Sequence, residues 1–138
     1  MHNFCRNRWY AAVESSELTD NIVTRTIMNE PVLLTRNQEK MPVALMDQCP
    51  HRFYPLSQGQ RDCDILQCRY HGLRFDLNSG HCVDIPTQDT IPDRAHVRTY
   101  PLFERYGFIS CRSANLPNTV ISWYPSGPSC SETRFNRC

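Results

Sequence analysis

The chain has 138 residues, 40% of them hydrophobic and 21% charged, a length and balance that fit one globular domain and exclude a disordered chain. Fifteen Lys and Arg against 14 Asp and Glu leave a formal charge of +1, so there is no electrostatic footprint of a nucleic-acid partner. No apolar run reaches the roughly 18 residues of a membrane span, and no apolar stretch of signal-peptide length follows the basic start, so the chain is expected in the cytoplasm without a membrane partner.

Taken in order, the segments are short and punctuated by ten Pro and five Gly. Residues 4–12 fit either a helix or an extended segment, and 15–20 fit a short helix. Strands are then expected over 22–28, 32–35, 43–46, 65–68, 73–77, 97–100 and 107–111, from their runs of β-branched and apolar residues. Asn78-Ser79-Gly80 is a turn signal that joins 73–77 to 81–85 as a hairpin. The fold class is therefore all-β, built of small antiparallel sheets. Composition changes near residue 109. Residues 110–138 hold six Ser, three Cys and three Pro but a single acid, Glu132, and read as an irregular or disordered tail without strand alternation.

Eight Cys is a high count. In a reducing compartment such a count points to metal or catalysis more than to disulfides. Two short ligand pairs stand out. Cys49-Pro50-His51-Arg52 is a C-x-H pair, Cys68-Arg69-Tyr70-His71-Gly72 is a C-x2-H pair, and sixteen residues separate His51 from Cys68. Each pair falls in a loop between expected strands. Two Cys and two His can hold one tetrahedral zinc, although zinc sites more often pair like with like at C-x2-4-C and H-x3-5-H spacing. A two-iron, two-sulfide cluster suits the mixed pairs, with both thiolates on one iron and both imidazoles on the other. Chance is the third reading, and two such pairs, with Pro after the first Cys and with Tyr before and Gly after the second His, are hard to obtain by chance. Of the remaining cysteines, Cys5, Cys63 and Cys82 read as packed small hydrophobes, and His81 and His96 read as ordinary polar residues.

Cys49-Pro50-His51-Arg52, the sixteen-residue spacer and Cys68-x-Tyr70-His71-Gly72-Leu73-Arg74-Phe75-Asp76 resemble the iron–sulfur motif of Rieske non-haem iron oxygenases, in their N-terminal domain. The flanks are similar to the group of vanillate O-demethylase and dicamba monooxygenase. They include Phe4–Ala12, Glu30-Pro31-Val32-Leu33-Leu34, Pro55-Leu56-Ser57, Gly80–Pro86 and Glu104–Ile109. The resemblance covers residues 1–109 and implies a Rieske [2Fe–2S] domain there, with Cys49 and Cys68 on one iron and His51 and His71 on the other. Pro50 would stiffen the first loop and Gly72 would allow a turn in the second. Tyr54 and Tyr70 stand where high-potential Rieske proteins carry a disulfide, which implies a potential toward the low end of the range, roughly −150 mV.

The resemblance further implies single-electron transfer from a reductase or ferredoxin to a mononuclear Fe(II) in an adjacent subunit of a homotrimer. The chemistry served there is hydroxylation or O-demethylation of an aromatic compound. That iron needs two His and a carboxylate from a further domain. No His follows His96, so the second iron is expected only in an intact homologue, and whether this chain alone is an enzyme stays open. Ending the family-like pattern at Ile109 would leave a sheet edge unpaired. Residues 110–138 then read as an atypical tail, such as a frameshift product. A stand-alone Rieske ferredoxin and a zinc-stabilised binding module remain the alternatives.

Overall fold

The computed structural model describes residues 5 and 7–112. Within them lie ten strands and one short 3-10 turn. The strands are β1 (Trp9–Glu14), β2 (Val23–Ile27), β3 (Glu30–Arg36), β4 (Pro42–Met46), β5 (Gln60–Asp62), β6 (Ile65–Gln67), β7 (Arg74–Asp76), β8 (Cys82–Asp84), β9 (Leu102–Arg105) and β10 (Phe108–Arg112). The turn, Leu56–Gln58, precedes β5. Every strand pair is antiparallel, in three sheets ordered β1-β10-β9, β2-β3-β4 and β5-β6-β7-β8. The all-β reading holds.

The β2-β3-β4 sheet is the middle layer. Strand side chains alternate between faces, so Leu33, Val43 and Leu45 enter one core and Val32, Leu34 and Ala44 the other. Burial on both faces is why Val32-Leu33-Leu34 is a continuous apolar run and not an alternating one. The first core is completed by Leu66, Phe75 and Leu77 of the four-stranded side, together with Cys49 and Cys68. The second is completed by Val13, Leu102, Ile109 and Cys111 of the β1-β10-β9 sheet. Arg61 ties β5 to the middle layer. Its guanidinium donates to the Thr35 hydroxyl at 2.7 Å and to the Asp20 and Arg36 carbonyls at 2.8 and 2.6 Å.

The hairpin expected at Asn78-Ser79-Gly80 forms between β7 and β8. Asp76 holds its turn, accepting from the Ser79 N–H at 2.9 Å and the Ser79 hydroxyl at 2.6 Å. Gly80, at φ 75°, passes so close to Val97 that a Cβ would meet its carbonyl oxygen at 2.1 Å. Other expectations change. Residues 15–20 form turns and not a helix, since six residues are too few to offset helix nucleation and Leu18 is drawn into the second core. Residues 97–100 do not form a ladder strand. They touch β4 through an isolated Leu45–Thr99 bridge, and Val97 is diverted to Gly80 by a 2.7 Å bond. Strand β9 was not foreseen, although Tyr106-Gly107 is a two-residue hairpin loop with both residues at positive φ.

The division expected between residues 109 and 110 falls inside a strand. Ser110, Cys111 and Arg112 pair with Ala11, Tyr10 and Trp9. Ile109 and Cys111 point inward and are fully buried. Strand β10 lies between β1 and β9, so the unpaired edge expected after Ile109 is absent among the described residues. The physical reason is a period-2 pattern of inward Ile109 and Cys111 that the polar Ser110 and Arg112 conceal. The expected atypical tail otherwise occupies residues 113–138, which lie outside the described residues.

Candidate metal centre

Two loops at one end of the first core carry the candidate ligands. The first leaves β4 and spans residues 49–54, and the second links β6 to β7 across residues 68–73. Each closes on itself in the same way. The Cys49 N–H donates to the Tyr54 carbonyl at 2.8 Å and the Phe53 N–H to the Cys49 carbonyl at 2.8 Å. The Cys68 N–H donates to the Leu73 carbonyl at 2.8 Å and the Gly72 N–H to the Cys68 carbonyl at 2.9 Å. The fifth residue of each loop sits in the left-handed region, Phe53 at φ 57° and Gly72 at φ 77°. At Gly72 the absence of a side chain removes the strain of that conformation, and a Cβ would stand 3.1 Å from the Pro86 ring.

This closure turns the first residue of each loop inward and the middle residues outward. Cys49 and Cys68 are each 1% exposed, within the first core. Their side chains lie within hydrogen-bonding reach of each other, and the Cys49 sulfur accepts from the backbone N–H groups of His51 and Arg52. Burial pushes the Cys49 thiol up to about 11, against those N–H donors and with the neighbouring Cys68 adding to the rise. His51 and His71 are exposed at the loop tips. Their Nδ1 atoms face each other at 3.1 Å, and the rings meet edge to face with centroids 4.5 Å apart. Sulfur is thus paired with sulfur at depth and nitrogen with nitrogen at the surface.

The pairing bears on what such a centre could hold. Among the described residues, no three His, Cys, Asp or Glu side chains converge in a way suited to a single ion. Two separated donor pairs suit a two-metal group with a thiolate end and an imidazole end. All six described cysteines are free thiols. Cys82 is buried as expected, whereas Cys5 and Cys63 are exposed. Cys63 sits at φ 53° in the two-residue turn between β5 and β6, where no core lies within reach. His81 and His96 are exposed and face each other across an isolated bridge, away from the four candidate ligands in sequence and pairing.

Sequence reasoning missed three supports of the loops. Asp47 is buried just before the first loop and accepts from the Ser57 N–H at 2.6 Å and the Ser57 hydroxyl at 2.7 Å, bracketing residues 49–54. Tyr54 packs against the first core and stacks on Tyr70, with centroids 5.7 Å apart and planes at 20°. Tyr70 in turn lies 4.0 Å from the His71 ring. The acid could have been suspected from Asp47 and Ser57 flanking the motif, but the stacking needed the loops in space.

The Rieske [2Fe-2S] domain model matches residues 8–101. The iron-sulfur subunit of the toluene-4-sulfonate monooxygenase system of Comamonas testosteroni is 44% identical over 103 residues, which are 74% of this chain and 29% of that protein. The oxygenase component of dicamba O-demethylase from Stenotrophomonas maltophilia is 43% identical over 107 residues, 77% of this chain and 31% of that protein. A crystal structure of dicamba monooxygenase superposes with a TM-score of 0.75 at 41% identity, covering 81% of this chain and 36% of that one. The chain therefore spans about 30% of the length of the curated relatives it matches.

Proposed function

The chain belongs to the Rieske [2Fe-2S] domain family, and from that premise we propose that Cys49, His51, Cys68 and His71 hold the cluster, Cys49 and Cys68 on one iron and His51 and His71 on the other. The observation that carries this assignment is the segregation of donors: two thiols buried in one core and two Nδ1 atoms 3.1 Å apart at the tips of twin loops. The donor set fits the group. Two buried thiols deprotonate when a metal takes the place of their protons, and convergent Nδ1 atoms supply neutral lone pairs. The cofactor stores and releases one electron at a potential set by its ligands and surroundings.

The chain's own residues shape that role. The His51 and Arg52 N–H groups aimed at the Cys49 sulfur stabilise negative charge on it, which favours the reduced form. Burial of both cysteines keeps water from the thiolate end. Exposure of both imidazoles leaves the opposite end open to a partner, so electrons enter or leave there. In the intact protein this domain would serve as the N-terminal part of an oxygenase component acting on an aromatic compound by hydroxylation or O-demethylation. Its donor would be a reductase or ferredoxin, and its acceptor a mononuclear iron in the next subunit of a homotrimer. Among the described residues no helix is long and apolar enough to cross a membrane.

The test is anaerobic purification of the full chain with iron, sulfide and zinc analysis. Two irons and two sulfides per chain, a brown colour and a rhombic electron-spin resonance on reduction are expected. Cys68→Ser and His71→Ala should each abolish the colour. A colourless protein holding one zinc, or variants that keep the parent spectrum, would overturn the assignment.

A further inference from the structure

The two loops are each closed by their own backbone bonds, and among the described residues no backbone hydrogen bond joins one loop to the other. Their relative position is therefore set by side chains. Besides the four donors, the Tyr54–Tyr70 stack makes contact across the gap. Tyr54 is fixed from below, because it packs against the first core. Tyr70 is 57% exposed and has no such seat. It rests on Tyr54 with one face region and lies against the His71 ring at 4.0 Å, tilted by 58°. Centroid separations near 4–6 Å with offset or tilted planes are the favourable arrangements for aromatic rings.

We propose that Tyr54 and Tyr70 form an aromatic clasp that takes the place of a covalent bridge between the ligand loops and positions His71. The inference rests on the ligand assignment above. Order passes from the core to Tyr54, from Tyr54 to Tyr70 and from Tyr70 to the imidazole. A ring held on one side has fewer orientations to lose when its Nδ1 meets a metal, so the clasp preorganises the donor. Tyr70 also covers part of the gap between loops, which slows entry of water and chelators. Unlike a disulfide, a stack opens and closes reversibly, so its contribution is to retention and orientation and not to locking.

The full chain, loaded with iron and sulfide anaerobically, is compared with Tyr54→Ala, Tyr54→Phe, Tyr70→Ala and Tyr70→Phe. Each Ala variant should lose its visible absorption to a chelator about two- to tenfold faster than the parent, the range expected for one aromatic contact. Each should also change the g-value spread of the reduced resonance, which reports imidazole orientation. Both Phe variants should follow the parent, because the rings and not the hydroxyls make the contact. Ala variants equal to the parent, or Phe variants as poor as Ala, would overturn the clasp. Iron and sulfide content of the parent tests the ligand assignment separately. If the parent holds neither, nuclear Overhauser contacts from Tyr70 to Tyr54 and His71 in the metal-free chain still decide, and their absence overturns the clasp.

Discussion

The two ligand loops reach one backbone shape by different means. The second loop connects strands that are already paired, with Gln67 opposite Arg74, so the sheet fixes both its ends. Its left-handed position is filled by Gly72 without strain. The first loop leaves β4 and enters the 3-10 turn at Leu56, so no strand pairing joins its ends. Side chains supply what the sheet does not. Asp47 and Ser57 bracket the loop, Pro50 fixes one φ, and Phe53 takes the left-handed position despite its Cβ. The same loop closure can thus be built on a hairpin or on a side-chain bracket. The second construction concentrates its stability in one buried carboxylate.

That difference can be broken at its strongest point. Asp47→Ala removes two short bonds to Ser57 and leaves the Ser57 N–H without its acceptor. A loss of about 3 kcal/mol in unfolding free energy is expected, measured by urea titration of the metal-free chain. Asp47→Asn keeps an acceptor for one of the two bonds and should fall between. A loss near the 0.5 kcal/mol typical of surface changes would mean that the bracket carries little and that the loops are held alike. A smaller effect is expected in the second loop. Gly72→Ala forces a side chain into φ 77° and against Pro86 at 3.1 Å, at a cost of about 1–2 kcal/mol. Adding Pro86→Ala should recover the steric part and leave the backbone part, which separates the two causes by a double-mutant cycle.

How far the sequence discloses this centre depends on the scale of the signal. The ligand pairs are legible because Cys49-Pro50-His51 and Cys68-x-x-His71 are local and chemically unusual. Strands β2, β3 and β4 are legible because their runs are rich in β-branched and apolar residues. The end of strand β10 is hidden in the sequence because Ser110 and Arg112 flank Cys111, and a buried Cys carries no apolar emphasis in a Ser-rich stretch. Strand β5, Gln60–Asp62, is polar throughout and is recognisable only by its partner β6. The exposure of Cys63 is not legible in the sequence, because apolar neighbours say nothing about a two-residue turn that points it outward. The Asp47 bracket and the Tyr54–Tyr70 stack span ten and sixteen positions, and such contacts exist only once the layers have packed.

Phe53 offers the finest test of the comparison. It is 71% exposed, so removing its ring forfeits little burial, and its φ of 57° carries the strain that Gly72 avoids. Phe53→Gly removes that strain, about 1–2 kcal/mol, and loosens the unfolded chain by about 0.5–1 kcal/mol, so a net gain of about 1 kcal/mol over the parent is expected. Phe53→Ala removes the ring and keeps the strain. Glycine should therefore be the more stable of the two by about 1 kcal/mol, even though it is the poorer residue at an ordinary position. Thermal unfolding of the metal-free variants reads the order directly. If alanine equals or exceeds glycine, the first loop does not hold its fifth residue left-handed. Its resemblance to the second loop would then end at the Cys49 carbonyl.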